Sequence, residues 1–165
     1  MRRLGIDHGE RRVGLALSDE EGVIAHPRDT WERKDPSALI ERLAAFVMEE
    51  DVKEIVVGLP LHLDGREGAS ARRARRFAEK LKERTGLEVV LFDERLSTSA
   101  AQRSLSSAGV SMRDQKQVVD KVAATLLLQS YLDSQREGDP AWPSAEEELA
   151  DLDPPRKRGG RSRGR

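Results

Sequence analysis

Cysteine is absent from this chain, which excludes a disulfide framework and any thiolate metal site and leaves nothing that demands an oxidising compartment. Aromatic residues make up only 4%, too few for the base-stacking platform with which many proteins grip single-stranded nucleic acid. Long apolar runs are missing as well. No stretch approaches the length of a bilayer crossing, and the first residues lack the apolar segment of a secretion signal, so a soluble cytoplasmic protein with no membrane partner is expected. Charge, by contrast, is abundant at 36% and nearly balanced at −1. That balance hides a partition. An acidic stretch, Ala141–Pro155, precedes a basic Arg156–Arg165, and Pro140, Pro143, Pro154, Pro155 and the Gly/Arg ending leave little to bury. Residues 137–165 therefore read as a disordered acidic linker and basic Arg/Gly tail. Such a tail either holds a phosphate backbone without sequence preference or merely solubilises. Residues 1–136 are long enough for one domain with a real core.

Within that domain the hydrophobic period changes in a telling order. Alternating runs near Arg2–His8, Val13–Ser18 and Gly22–Ala25 read as an antiparallel meander. Pro36–Glu50 shows helical spacing with proline in the first turn. A buried-strand run, Glu54–Gly58, leads into a Pro/Gly-rich loop. A basic helix over about Ala69–Arg84 stops at Gly86, and Leu87–Phe92 is another strand. Helices over about Ser97–Ala108 and Val118–Ser134 follow, separated by a polar loop, Gly109–Gln117. A meander followed by strand–helix alternation implies an α/β fold, a mixed five-stranded sheet flanked by helices.

Three acidic points stand where such a fold would use them. Asp7 ends the first strand, Asp93 and Glu94 end the last, and Asp120 lies near the start of the final helix beside Ala123 and Ala124. Each has an ordinary explanation: a turn cap for Asp7, a surface ion pair for Glu94, a helix N-terminal charge for Asp120. Together they suggest more, because strand ends on one edge of an open sheet converge on a crevice and small alanines let a helix approach it. Clustered carboxylates need a cation, and their oxygens suit Mg²⁺ or Mn²⁺. Such ions activate water against a phosphodiester. His8 adjoins Asp7, but alternation turns it to the other face, so a turn role is expected of it.

Leu4-Gly5-Ile6-Asp7, Arg12-Val13-Gly14-Leu15-Ala16, Val57-Gly58-Leu59-Pro60-Leu61, Asp93-Glu94-Arg95-Leu96-Ser97-Thr98 and Asp120 through Leu128 together resemble the YqgF/RuvX family, in family order over nearly all of residues 1–134. The resemblance implies a ribonuclease H-like fold related to four-way DNA junction resolvases. It implies a nuclease acting on pre-16S rRNA at its 5′ end, with branched DNA in recombination as the alternative substrate; the Arg/Gly tail supports a further reading, a non-catalytic nucleic-acid- or ribosome-binding factor. It makes Asp7, Glu94 and Asp120 the catalytic, metal-binding acids. Asp93, and more remotely Asp64, compete with Glu94 for the middle position.

Contacts to nucleic acid are expected from Arg12, from Arg72, Arg73, Arg76 and Lys80 on one side of the basic helix, and from Arg95, Arg113, Lys116 and Lys121 near the acids in sequence. With so few aromatics, recognition by backbone and shape is expected. Ribosomal particles are a further expected partner, and the oligomeric expectation is a monomer or weak dimer.

Overall fold

The computed structural model describes the backbone of residues 1–96 and 112–137 and the side chains of residues 1–95 and 122–136. The chain divides into two units, Met1–Ser134 and Gln135–Arg165; the sheet and its core belong to the first. In order, the described elements are β1 (Arg3–His8), β2 (Arg12–Ser18), β3 (Ala25–Glu32), α1 (Pro36–Glu49), β4 (Glu54–Leu59), α2 (Ala69–Thr85), β5 (Glu88–Asp93), a single 3₁₀ turn (Glu94–Leu96) and α3 (Met112–Glu137). Among the described residues no helix is long and apolar enough to cross a membrane.

The five strands lie in the order β3-β2-β1-β4-β5. β2 is antiparallel to both β1 and β3, while β4 is parallel to β1 and β5. The chain thus leaves β1 toward one edge and returns through β4 toward the other. The ends of β1 and β4 flank the switch point at which such sheets open a crevice.

Alternation sorts the strand residues into two cores. Leu4, Ile6, Ile55 and Val57 pack with Leu39 and Leu43 of α1 and with Phe77 and Leu81 of α2. Ala16 and Val56 face the other way, against Ala124, Leu128, Tyr131 and Leu132 of α3. Helix α1 starts at an Asp35 cap, whose carboxylate accepts from the Ser37 and Ala38 amides at 3.0 and 3.2 Å, with Pro36 beginning the helix. Helix α2 ends at Gly86 in the left-handed conformation, φ 70°, which glycine adopts without steric cost.

Two boundaries differ from the sequence reading. The third strand is Ala25–Glu32, not Gly22–Ala25. Residues after β2 instead form a turn in which the Asp19 carboxylate accepts from the Val23 and Ile24 amides and Gly22 has φ 75°. The true strand is mostly exposed and contains Pro27, both allowed at a sheet edge, so it shows no buried alternation. Helix α3 begins at Met112 rather than Val118. Residues expected as loop are helical, and Asp120 lies in the helix interior, where a helix N-terminal role no longer explains it. The helix expected over Ser97–Ala108 and the Arg/Gly tail lie outside the described residues.

Helix α3 is seated closely and held in register. A Cβ on Gly5 would lie 2.8 Å from Leu128 Cβ and 3.2 Å from the Ala124 carbonyl, so only glycine in β1 permits this approach. Along the helix, Gln129 accepts from the Ala25 amide at 2.8 Å and donates to the Val23 carbonyl at 3.0 Å. Tyr131 donates to Glu54 at 3.1 Å, and Arg3 pairs with the same carboxylate. Gly5→Ala should therefore lower the stability measured by urea denaturation by about 1–3 kcal/mol, the usual cost of overpacking; an unchanged midpoint would show that the helix is not seated against this strand.

Candidate active site

Asp7 lies two residues beyond Gly5 on β1 and so faces the same side of the sheet, toward α3. On β4, Gly58 shares the parity of Val56 and faces that side as well. On β5, Leu91 packs on the α1/α2 side and Phe92 on the α3 side, so Asp93 continues the face of Leu91. The strand ends there, and Glu94 in the following 3₁₀ turn reaches back across the neighbouring strand. A Cβ at Gly58 would lie 2.9 Å from both Cγ and Cδ of Glu94. Glu94 therefore occupies the space that any other residue at 58 would fill, and it ends in a hydrogen bond with Asp7.

Electrostatics follow from that geometry. Burial, the negative charge of Asp7 and the hydrogen bond to it push the Glu94 carboxyl up to about 8, with Asp93 adding a little more repulsion. Burial also raises Asp7, although accepting from Glu94 counteracts this. Of the two, Glu94 is the stronger proton holder and donates to Asp7. Asp93 behaves oppositely. Arg95 grips it through the guanidinium at 2.6 and 2.8 Å and through its own backbone amide at 3.0 Å, which holds Asp93 below the usual carboxylate range. Asp64 sits out on the loop after β4, tied to Arg66. The structure thus brings Glu94 to Asp7 and leaves Asp93 and Asp64 to arginine partners.

Residue 120 is placed by backbone alone. It precedes Ala124, which packs on Gly5, by about one turn, or about 6 Å of helix. Asp7 lies about 6.6 Å beyond Gly5 along the strand. Because Tyr131, farther along α3, reaches Glu54 at the opposite end of the sheet, residue 120 lies toward the Asp7 end. Its side chain is outside the described residues, as are those of Arg113, Lys116 and Lys121. Among the described residues no group of three or more His, Asp or Glu side chains could hold a metal ion. What is present is two half-buried carboxylates in hydrogen-bond contact, an all-oxygen donor set that matches hard divalent cations and needs further ligands to complete it.

His8 has no simple turn role. Its ring stacks on Phe77 of α2 with centroids 4.3 Å apart, and its Nε2 lies 3.0 Å from an Arg33 guanidinium nitrogen. Burial, with Arg33 and Arg73 nearby, lowers its pKa to about 4, so the ring is neutral. The α2 cations follow His8 rather than Asp7. Arg73, Arg76 and Lys80 line a cavity with it on the α1/α2 side of the sheet, whereas Arg72 is not in its lining. Arg12 begins β2 and is half-buried. The sequence reading missed Gly58 as the space for Glu94, although a glycine inside a buried strand is itself a mark of close approach. Arg33 was also missed, and no local pattern singles it out.

The family described as "RuvX: Holliday junction resolvase" matches residues 1–134. A protein of Halalkalibacterium halodurans named "Putative pre-16S rRNA nuclease" is 45% identical over 138 residues, covering 82% of this chain and 99% of that protein. Proteins of the same name from Geobacillus kaustophilus and Mycobacterium leprae are each 47% identical, covering 82% and 85% of this chain and 100% and 77% of their own lengths. Among solved structures, Thermus thermophilus RuvC in complex with a Holliday junction substrate aligns with a TM-score of 0.55 at 14% identity, covering 84% of this chain and 97% of that one. The fowlpox virus resolvase bound to Holliday junction DNA aligns with a TM-score of 0.51 at 10% identity, covering 82% and 99%. The two structural likenesses establish the ribonuclease H-like fold, and the match along residues 1–134, with relatives above 40% identity, establishes that the chain belongs to the RuvX family.

Proposed function

We propose that this chain is a metal-dependent endonuclease that hydrolyses phosphodiester bonds in the 5′ maturation of pre-16S rRNA, working in the cytoplasm on pre-ribosomal particles as a monomer or weak dimer. The observation that carries the nuclease reading is the half-buried, hydrogen-bonded Asp7–Glu94 pair at adjoining strand ends. The choice of RNA rests on the names of the bacterial relatives. Residues 1–136 form the nuclease domain in this reading, with 137–165 an appended tail.

Asp7, Glu94 and Asp120 would hold Mg²⁺ or Mn²⁺. Such a cation would supply Lewis-acid chemistry toward the phosphodiester and the attacking water. The protein's own part is to hold Asp7 and Glu94 together in a half-buried place that raises the Glu94 carboxyl and lets it donate to Asp7. Gly58 supports this by leaving room for the Glu94 stem. Arg95 fixes the rim by joining the end of β5 to the loop after β4 through Asp93 and the Leu63 carbonyl. Arg12, Arg113, Lys116 and Lys121 are assigned to the RNA backbone.

Single-turnover cleavage of a precursor rRNA leader, set beside a four-way DNA junction, tests the reading. Asp7→Asn should abolish Mg²⁺- or Mn²⁺-dependent cutting of the leader while RNA affinity stays within about 1 kcal/mol, because phosphate contacts dominate binding. Cutting of the junction alone would move the activity to DNA, and binding without cutting would leave a non-catalytic factor.

Gly58→Ala should fold normally yet lose about a hundredfold in cleavage, a typical cost of displacing a catalytic group by about 1 Å. Wild-type activity in that variant would remove Glu94 from the centre.

Stability gives an independent check without metal. An unfolded glutamate loses its proton near its ordinary 4.5, whereas native Glu94 keeps it to about 8. The native state therefore binds more protons between those values, and stability should fall as pH rises through that window, by an amount on the order of a few kcal/mol. Glu94→Gln keeps a donor to Asp7 and should flatten the slope in chelator-treated protein. A slope unchanged by the substitution would place the shared proton elsewhere.

A further inference from the structure

We propose that the cavity between α1 and α2 is a phosphate-binding site, separate from the carboxylate pair and on the opposite face of the sheet. It takes a nucleotide phosphate, either within a polynucleotide strand or on a free nucleotide. The cavity encloses about 690 Å³, within the range of sites that hold small molecules. Its buried wall is apolar, formed by Leu39, Ile40 and Phe77. Its outer wall is cationic: Arg33 follows β3, and Arg73, Arg76, Lys80 and Arg84 come from α2. Glu41 and Glu83 are the carboxylates in the lining, and Glu41 is engaged by Arg84 at 2.7 and 2.9 Å.

The cations are not satisfied from within. Arg73 donates to the Ser70 hydroxyl at 3.1 Å and has the exposed Glu10 as its carboxylate at 3.7 Å, and Arg33 faces the His8 ring rather than a carboxylate. Among the described residues Arg76 and Lys80 have no ion-pair partner. Arg73, Arg76 and Lys80 also stand at three- and four-residue spacing along α2, where like charges repel. A solvated helix face spreads its charges outward, whereas these converge with a cation from another element over an apolar floor. The first amides of α1 open nearby but are already taken by Asp35, so an anion here would be held by side chains. Guanidinium forks suit phosphate oxygens, and the stacked His8–Phe77 pair offers an apolar surface for a sugar or base.

Position adds a functional sense that rests on the nuclease reading. His8, in the cavity wall, and Asp7, in the carboxylate pair, are successive residues whose side chains leave β1 on opposite faces. A strand crossing this edge of the sheet could place one phosphate at the carboxylates and another in the cavity, which would set where cleavage falls along it.

The test measures occupancy of the full chain in EDTA, where no cleavage occurs and the carboxylates repel phosphate. Calorimetric titrations would use inorganic phosphate, uridine 5′-monophosphate, uridine, octauridylate and an oligoglutamate peptide. Saturable binding of the monophosphate or octauridylate is expected, with uridine and the peptide at least tenfold weaker. Arg76→Ala and Lys80→Ala, both at exposed positions, should each weaken phosphate binding about tenfold, whereas Lys82→Ala, equal in charge but outside the cavity, should change it less than twofold. Loss for both monophosphate and octauridylate, the latter with a salt slope reduced by about one per cation removed, places a strand phosphate in the cavity. Loss for the monophosphate alone assigns it to free nucleotide. No saturable phosphate binding, equal effects of Lys82→Ala, or binding of uridine or the peptide as tight as that of the phosphates would overturn the proposal. Because the readout is binding without metal, a failure of the nuclease reading leaves it standing, and its own failure leaves Asp7 and Glu94 untouched.

Discussion

Two half-buried carboxylates, Asp7 and Glu94, held in hydrogen-bond contact set the electrostatics of the candidate site. Burial disfavours charge on both Asp7 and Glu94, and in a poorly solvated place two like charges at hydrogen-bond distance cannot both persist. A proton relieves the conflict weakly and a divalent cation relieves it strongly. The fold therefore holds the pair in a form that is incomplete without a positive charge. Its neighbours preserve that condition: Gly58 makes the approach possible, while Arg95 is occupied by Asp93 and by the Leu63 carbonyl, leaving the proton as the charge that the pair itself carries.

The same constraint accounts for glycines in strands that otherwise favour bulky residues. Gly5 and Gly58 lie on neighbouring strands and face α3, one admitting Leu128 and the Ala124 carbonyl, the other admitting Glu94. Each gives up side-chain burial and some backbone entropy. In exchange a helix and an acidic side chain come close to the sheet at the end where β1 and β4 diverge. The opposite end is fastened by Arg3, Glu54 and Tyr131, so the helix cannot slide along the sheet without breaking polar contacts. Residue 120 is carried toward Asp7 by that fixed register.

How much of this was legible in the sequence depends on whether the information is local. Alternation in Arg2–His8, the continuous apolar run in Glu54–Gly58 and period 3.6 in Pro36–Glu50 and about Ala69–Arg84 are local, and they locate the sheet and two helices closely. The edge strand Ala25–Glu32 was not legible, because one exposed face and a proline erase the alternation that marks a strand. The start of α3 was missed for a related reason: Met112–Gln117 is polar, and polarity was taken for a loop. For the site, motif resemblance put Glu94 ahead of Asp93 for the middle acid. The reason it is Glu94 lies in Gly58, on another strand, and no reading along β5 alone could supply it.

His8 shows the converse case. Parity already placed it on the Ile6 face, away from Asp7, yet the sequence could not say what it would meet there. It meets Phe77 and Arg33, contributed by two distant segments, and the α2 cations gather on the same side. The sheet therefore separates two opposite electrostatic environments by the thickness of one strand: acids that need a cation on the α3 face, and cations that need an anion on the α1/α2 face. A polyanion that brings metal ions to one side and phosphate to the other satisfies both at once. That complementarity favours a nucleic-acid strand lying across this edge more strongly than either face could alone.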